Sequence, residues 1–502
     1  MTRDAPGVTT IRDTVRARLQ EAAMFFRMIY DDALSQAAYL IGCQKTGEAI
    51  VFDPERDVDR YIELAEQNGL RIVACAETHI HADFLSGCRE LAETIGARVY
   101  LSKLGGPDWT SGWLGSKSDG GTYDHVLLSN GDMFSVGNIE FQAVHTPGHT
   151  PEHMSYLVTD RGSGMDSPMG MITGDFVFVG DLGRPDLLET AAGITGAKDE
   201  SAKELFKSAS EFVRSVPEHV QIWPAHGAGS ACGKALGAVP QSTAGYEKMS
   251  SPALKLVGSE VEFTSFILEG QPEPPMYFAR MKQQNRDGVP LLGGLPNPKR
   301  MDPSEIGSLG DKVVVDVRST EEFRAGHIPG AISSPLGASF HTSAGAYIAP
   351  FDELVLVVDE HKVEQAVREM VRIGLDRAAL YLTPSDLEAY VSGGGSLATT
   401  KDASPDELSD ARKSGDVFIL DVRKATEHAL DSIPGTVNKS HTRLPEVLDQ
   451  LPRDREIYVH CRTGVRSVMA ASLLEREGFM PINVVGGFEA YAIAGHETVS
   501  TG

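Results

Sequence analysis

Histidine and aspartate recur through the first half of this chain in an order that any fold must reconcile. THIHADF carries His79, His81 and Asp83, HTPGHTPEH carries His145, His149 and His153, TGDF carries Asp175, and PAHG carries His226. Imidazole and carboxylate groups at these spacings are metal-ligand types, and an ion needs them to converge within a few ångströms. Alternate positions in H-x-H-x-D suit a tight loop just beyond a strand. RIVACAETHIHADF reads as a buried strand delivering one such loop, and HVLLSN with FQAVHTPGHT as a strand pair delivering another. Loops at strand ends are where sites are built, so an α/β architecture is expected.

A chain of 502 residues exceeds the roughly 100 to 200 residues of one domain, and three units are expected. The segment QPEPPMYFARMKQQNRDGVPLLGGLPNPKRM, rich in proline, glycine and basic residues, marks a boundary near residue 295. Beyond it, KVVVDVRSTEEFRAGHIPGAI and DVFILDVRKATEHALDSIPGTV form an internal repeat, joined by SGGGSLATT. Each copy continues with an apolar strand, ELVLVVDEH or EIYVHCRTG, then a helix and a short strand, the rhythm of a parallel sheet. The boundaries read from this are an N-terminal extension over 1–23, a metal-loop domain over 24–294, and repeat modules over 295–395 and 396–502.

Apolar residues make up 41% and charged residues 23%, a balance suited to packed globular domains. The net charge of −24 repels phosphate backbones and anionic lipid, so neither nucleic acid nor membrane is expected as a partner. Five widely spread cysteines, Cys43, Cys75, Cys88, Cys232 and Cys461, do not form a secreted disulfide pattern. The N-terminal segment mixes charges and lacks an apolar signal core. Its Asp4, Asp13 and Glu21 are unlike a mitochondrial targeting peptide. A cytoplasmic location is expected.

The ordered metal residues resemble the metallo-β-lactamase superfamily over roughly residues 24 to 290. The family pattern falls on His79, His81, Asp83, His149, Asp175 and His226, and departs from it at Phe84, where a histidine of the second metal is expected. Phenylalanine ligates nothing. Two histidines and one carboxylate around a single ion are the set of non-haem ferrous oxygenases, and the iron-dependent persulfide dioxygenase branch matches this. That resemblance implies an αββα sandwich holding one Fe(II) on His79, His149 and Asp175. It also implies that His81, Asp83 and His226 orient ligands or water around it, and that Arg184 in GRPDL meets an anionic substrate group. His125, His145 and His153 are read as structural. Cys232, in the GAGSACGK that follows His226, is read as packing.

In EIYVHCRTGVRSVMAASLLEREGF, Cys461 stands directly after a strand and ahead of a helix, where loop and helix N–H groups can stabilise a thiolate. Arg462 and Arg466 add charge that attracts an anionic sulfur donor. The loop resembles that of rhodanese sulfurtransferases, an α/β fold with a parallel sheet. Its four residues between Cys461 and Arg466 are one fewer than in the related cysteine phosphatases. Asp421, Arg423, Glu427 and Ile433–Gly435 match the scaffold motif, with Asp431-Ser432 in place of the usual Gly-His. The first copy keeps DVRSTEEFRAGHIPGA but has Asp359 near the cysteine position and no nucleophile. It reads as a scaffold in which His327 is structural.

The resemblances together imply oxidation of a low-molecular-weight thiol persulfide by dioxygen to sulfite, with Cys461 carrying sulfane sulfur to or from thiosulfate. One rival is a dizinc thioester hydrolase of the glyoxalase II kind with a fused sulfurtransferase. Another is a dioxygenase whose rhodanese half only binds partners. The carrier thiol, the direction of sulfur flow and homo-oligomerisation are left open by the sequence.

Overall fold

The computed structural model describes residues 24–190, 196–415 and 417–500. The N-terminal extension expected over 1–23 lies outside the described residues. Two compact units are present: the residues up to Pro274 with Ala279–Gly293, and Pro275–Phe278 with the residues from Gly294 onward.

The first unit is built on two six-stranded sheets. One runs in the order β1 (Met24–Asp31), β2 (Gln36–Cys43), β3 (Glu48–Phe52), β4 (Arg71–Ala76), β5 (Arg98–Ser102) and β6 (His125–Leu128). The other contains β7 (Met133–Val136), β8 (Ile139–His145), β9 (Met154–Asp160), β10 (Gly170–Gly174), β11 (Gln221–Pro224) and β12 (Ser242–Thr243), again in sequential order. Every residue of β2 is buried, which is why QAAYLIGC carries no polar alternation.

Side chains from the facing surfaces interdigitate between the sheets: Tyr39, Ile41, Ile50 and Phe52 from the first, and Phe141, Tyr156, Ile172 and Trp223 from the second. Full burial of one such side chain contributes about 1.5 to 3 kcal/mol. The outer face of the first sheet is covered by the helices Asp59–Gln67 and Cys88–Ile95, through Tyr61, Ala65, Leu91 and Ala92. The outer face of the second is covered by Ala197–Ser215 and Glu260–Leu268, through Leu205, Phe212, Phe263 and Ile267. The layers are αββα, as expected.

The second unit holds two five-stranded sheets whose paired strands all run parallel. The first has β13 (Lys299–Arg300), β14 (Val313–Asp316), β15 (Ile332–Ser333), β16 (Leu354–Val357) and β17 (Ala378–Leu382), in the order β13-β17-β16-β14-β15. The next strands are β18 (Asp402–Ala403), β19 (Phe418–Asp421), β20 (Asp431–Ser432), β21 (Val437–Asn438), β22 (Glu456–His460), β23 (Met480–Val484) and β24 (Val499–Ser500). They form the sheet β18-β23-β22-β19-β21, with β20 and β24 paired separately. The same strand order in both copies is the structural form of the sequence repeat. Among the described residues, no helix is long and apolar enough to cross a membrane.

Candidate functional site

Four loops meet at one end of the αββα sandwich. β4 delivers His79 and His81, the connection from β8 to β9 delivers His149, β10 ends immediately before Asp175, and β11 ends just before His226. Ligand atoms of His79, His149 and Asp175 all lie within 4.8 Å of one another, and all three residues are buried. Asp175 Oδ2 is 3.4 Å from His149 Nε2 and 3.9 Å from His79 Nε2.

The outward hydrogen bonds set which ring nitrogen faces the centre. His149 Nδ1–H donates to the Arg184 carbonyl oxygen at 3.0 Å, and His226 Nδ1–H to that of Ser35 at 3.1 Å. The Thr78 hydroxyl donates to Asp53 Oδ2 at 2.9 Å, so His79 Nδ1–H donates to Thr78 Oγ1, also at 2.9 Å. Each Nε2 is left with its lone pair turned inward, as a metal ligand requires. Both Asp175 carboxylate oxygens, Asp83 Oδ2 and His226 Nε2 are buried without a hydrogen-bond partner. Orphaned acceptors cost free energy unless something occupies the space between them. This donor set fits a cation.

His81 Nε2 lies 3.1 Å from Asp53 Oδ1, while its Nδ1 is buried without a hydrogen-bond partner. Asp53, not singled out from sequence, also accepts the Thr78 backbone N–H at 2.7 Å and adopts φ 49° at the end of β3. Positive φ in a non-glycine residue is held only by surrounding structure, here by the hydrogen bonds that anchor the histidine loop. Phe84 is fully buried, its ring 4.4 Å from that of His81.

Two further residues had no sequence signal beyond their type. His153, read as structural, accepts the Asp175 backbone N–H on Nε2 at 3.1 Å and donates from Nδ1 to Thr146 at 2.8 Å. It positions Asp175. Asn285, on the helix Phe278–Asp287, donates to the carbonyls of His81 and Phe84 at 2.8 and 2.7 Å and accepts the Ser86 N–H at 2.9 Å.

Two expectations need correction. Arg184 is not presented to an anionic substrate: it is buried, doubly bonded to Asp186 at 2.8 and 2.7 Å, and donates to the Ala231 carbonyl at 3.0 Å. Its charge is neutralised within the loop. Gly183 before it cannot carry a side chain, because a Cβ there would sit 1.7 Å from the Asp175 carbonyl oxygen. Cys232 is more than packing. With Asp83 and His226 it forms a second buried group of ligand atoms within 4.8 Å of one another. Burial pushes its thiol well up, and the Asp175 and Asp83 carboxylates push it further.

In the last module Cys461 follows β22 and is buried, and its Sγ accepts the Gly464 N–H at 3.1 Å; the Ser467 hydroxyl, 3.6 Å away, donates to Asn483 Oδ1 at 2.7 Å. The helix Val465–Arg476 starts immediately beyond. Arg466 makes two bonds to Glu427, at 2.6 and 2.8 Å, whereas Arg462 is largely exposed and pairs with Glu489 at 2.6 Å. Asp431, in place of the usual glycine, accepts from Arg423 at 2.9 Å, and Arg423 is also held by Asp421. In the first module, β14 and β16 pair Asp316 with Val357, as β19 and β22 pair Asp421 with His460. Val358, rather than Asp359, therefore occupies the position of Cys461.

The model of the metallo-beta-lactamase superfamily matches residues 31–226, and that of the rhodanese-like domain matches 304–383 and 404–494. A crystal structure of a metallo-beta-lactamase from Staphylococcus aureus subsp. aureus COL is 44% identical, covers 72% of this chain and 99% of its own, and superposes with a TM-score of 0.65. The chain belongs to the metallo-β-lactamase superfamily, fused to tandem rhodanese-like domains. This metallo-β-lactamase–rhodanese fusion is also similar to the mitochondrial persulfide dioxygenase ETHE1 of Homo sapiens, 25% identical over 207 residues, which are 41% of this chain and 69% of that protein. A probable polyketide biosynthesis zinc-dependent hydrolase, BaeB of Bacillus velezensis, is 24% identical over 210 residues, or 41% of this chain and 80% of that one.

Proposed function

We propose that the fusion oxidises a low-molecular-weight thiol persulfide to sulfite and thiol at a single Fe(II), and moves sulfane sulfur through Cys461. The observation that carries the reading is the buried trio of His79, His149 and Asp175, with Phe84 standing where a second metal's histidine is expected. Two imidazoles and one carboxylate leave coordination positions open for substrates. A ferrous ion held there supplies the redox chemistry by which dioxygen reacts with sulfane sulfur. The chain's own residues hold the ligands His79 and His149 in their tautomers through Thr78 and Arg184, and the neighbouring His226 through Ser35. His153 aims Asp175, and the buried walls exclude bulk water. Overall, a persulfide, dioxygen and water become a thiol, sulfite and two protons.

At Cys461 the thiolate attacks the outer sulfur of thiosulfate, the S–S bond breaks, sulfite leaves and a cysteine persulfide remains. The Gly464 N–H and the N-terminus of the helix Val465–Arg476 stabilise charge on the sulfur. We assign the metal to His79, His149 and Asp175, and the sulfur carrier to Cys461, with Arg466 beside it.

The group of Asp83, His226 and Cys232 supports a second reading, a two-metal hydrolase in which Cys232 takes the ligand place that Phe84 vacates. Metal analysis of anaerobically purified protein, coupled to oxygen uptake with glutathione persulfide, separates the two. One iron per chain with uptake and sulfite release is expected. Two zinc ions without uptake would overturn the dioxygenase in favour of the hydrolase.

A further inference from the structure

The first rhodanese-like module lacks a nucleophile but keeps a pocket where one would sit. A cavity of about 380 Å³ is lined by Arg318, Leu336, Val358, Asp359 and Lys362 from this module, and by Val465 from the last. Backbone bonds fix the correspondence between modules. Val317 N–H donates to Val357, and Leu336 N–H to Val317, as Val422 donates to His460 and His441 to Val422. Val358 thus lines the cavity at the position of the missing cysteine, and Leu336 lines it at the position of His441 in the last module. The degenerate site has become apolar at its base and stays charged at its rim.

That rim carries both signs. Glu321 and Glu322 line it with Lys362, which pairs with Asp359 at 3.1 Å in a half-exposed contact open to competition. Arg318 also lines it, but its guanidinium is neutralised by Asp316 and held by the Gly326 carbonyl, which leaves Lys362 as the lining cation open to exchange. A ligand with an ammonium, a carboxylate and a short apolar or sulfur-bearing arm matches this lining. Val465, the lining residue from the last module, belongs to the loop of the sulfur carrier, where the preceding Gly464 N–H donates to Cys461 Sγ at 3.1 Å.

We propose that this cavity seats the acceptor for the sulfur on Cys461, a thiol of amino-acid or short-peptide type. The proposal rests on the sulfur-transfer reading of Cys461. The acceptor sulfur attacks the outer sulfur of the Cys461 persulfide, and a new S–S bond forms as the bond to Cys461 breaks. The proton given up by the acceptor thiol passes to the Cys461 sulfur, and the acceptor leaves as a persulfide. No oxidant or reductant is consumed.

The test uses the full chain, loaded with thiosulfate, freed of excess and then unloaded with glutathione or, separately, with cyanide, which needs no pocket. Leu336→Trp fills the cavity, and Lys362→Glu reverses a rim charge on an exposed side chain. Both should raise the half-saturating glutathione concentration by about fivefold or more, with thiosulfate loading and cyanide unloading unchanged, as loss of a binding contact requires. Unchanged glutathione saturation in both variants would overturn the pocket while leaving Cys461 as carrier. Failure of the unsubstituted protein to load sulfur would remove the carrier reading, and this proposal with it.

Discussion

Asn285 shows how one side chain can hold a metal loop without touching the ligands. Its amide closes three hydrogen bonds to backbone groups of the segment from His81 to Ser86, all away from solvent. Asn285→Ala leaves two carbonyls and one N–H unpaired in the interior, and should cost about 2 to 4 kcal/mol. Urea unfolding should show this as an earlier midpoint. Metal content per folded chain should fall as well, because the loop bearing His79 and His81 is no longer fastened. An unchanged midpoint would mean that water replaces the amide.

At the scale of elements, the loop between β22 and the helix Val465–Arg476 depends on a neighbouring turn as much as on its own sequence. Gly487 has φ 58°, and a Cβ there would lie 2.4 Å from the Cys461 carbonyl oxygen. Phe488 N–H also donates to that carbonyl, at 2.8 Å. Gly487→Ala must therefore strain the backbone or move the loop, at about 1 to 3 kcal/mol. The expected result is slower formation of the Cys461 persulfide, read by mass spectrometry after thiosulfate addition, in a protein that retains its metal. Loss of metal instead would show that the effect is not local.

Within the second unit, the helix that carries Arg466 is also part of the first module's core. Val468 packs in one cluster with Val314, Phe323, Val355 and Val357. Ser333 N–H donates to Ser472 Oγ at 2.9 Å, Arg476 donates to the Gly330 carbonyl at 2.9 Å, and His327 Nε2 lies 3.2 Å from Glu475. The module without a nucleophile buttresses the one with it. Val468→Asp buries a carboxylate in this shared core and should lower the stability of both modules together, by more than about 2 kcal/mol. Two separate unfolding transitions, with only the last module affected, would contradict shared folding.

The parallel sheets and the setting of Cys461 were legible in the chain itself, in apolar strand periods and a cysteine between a strand and a helix. The αββα sandwich and the trio of His79, His149 and Asp175 followed from the family resemblance that the ordered histidines and aspartates carry. What the tertiary structure alone decided are relations between distant segments. Asp53 and Asn285 gain their roles because β3 and the helix Phe278–Asp287 pack beside the histidine loop. Arg184 loses its expected role because Asp186 is close enough to neutralise it. Cys232 moves from packing to the edge of the site because its loop folds back on Asp83. Val358, one residue before Asp359, takes the place of the cysteine because strand register, not residue spacing, sets equivalence between two sheets. A side chain's type is carried by the sequence, but its partners depend on which backbones the packed core brings within hydrogen-bond distance.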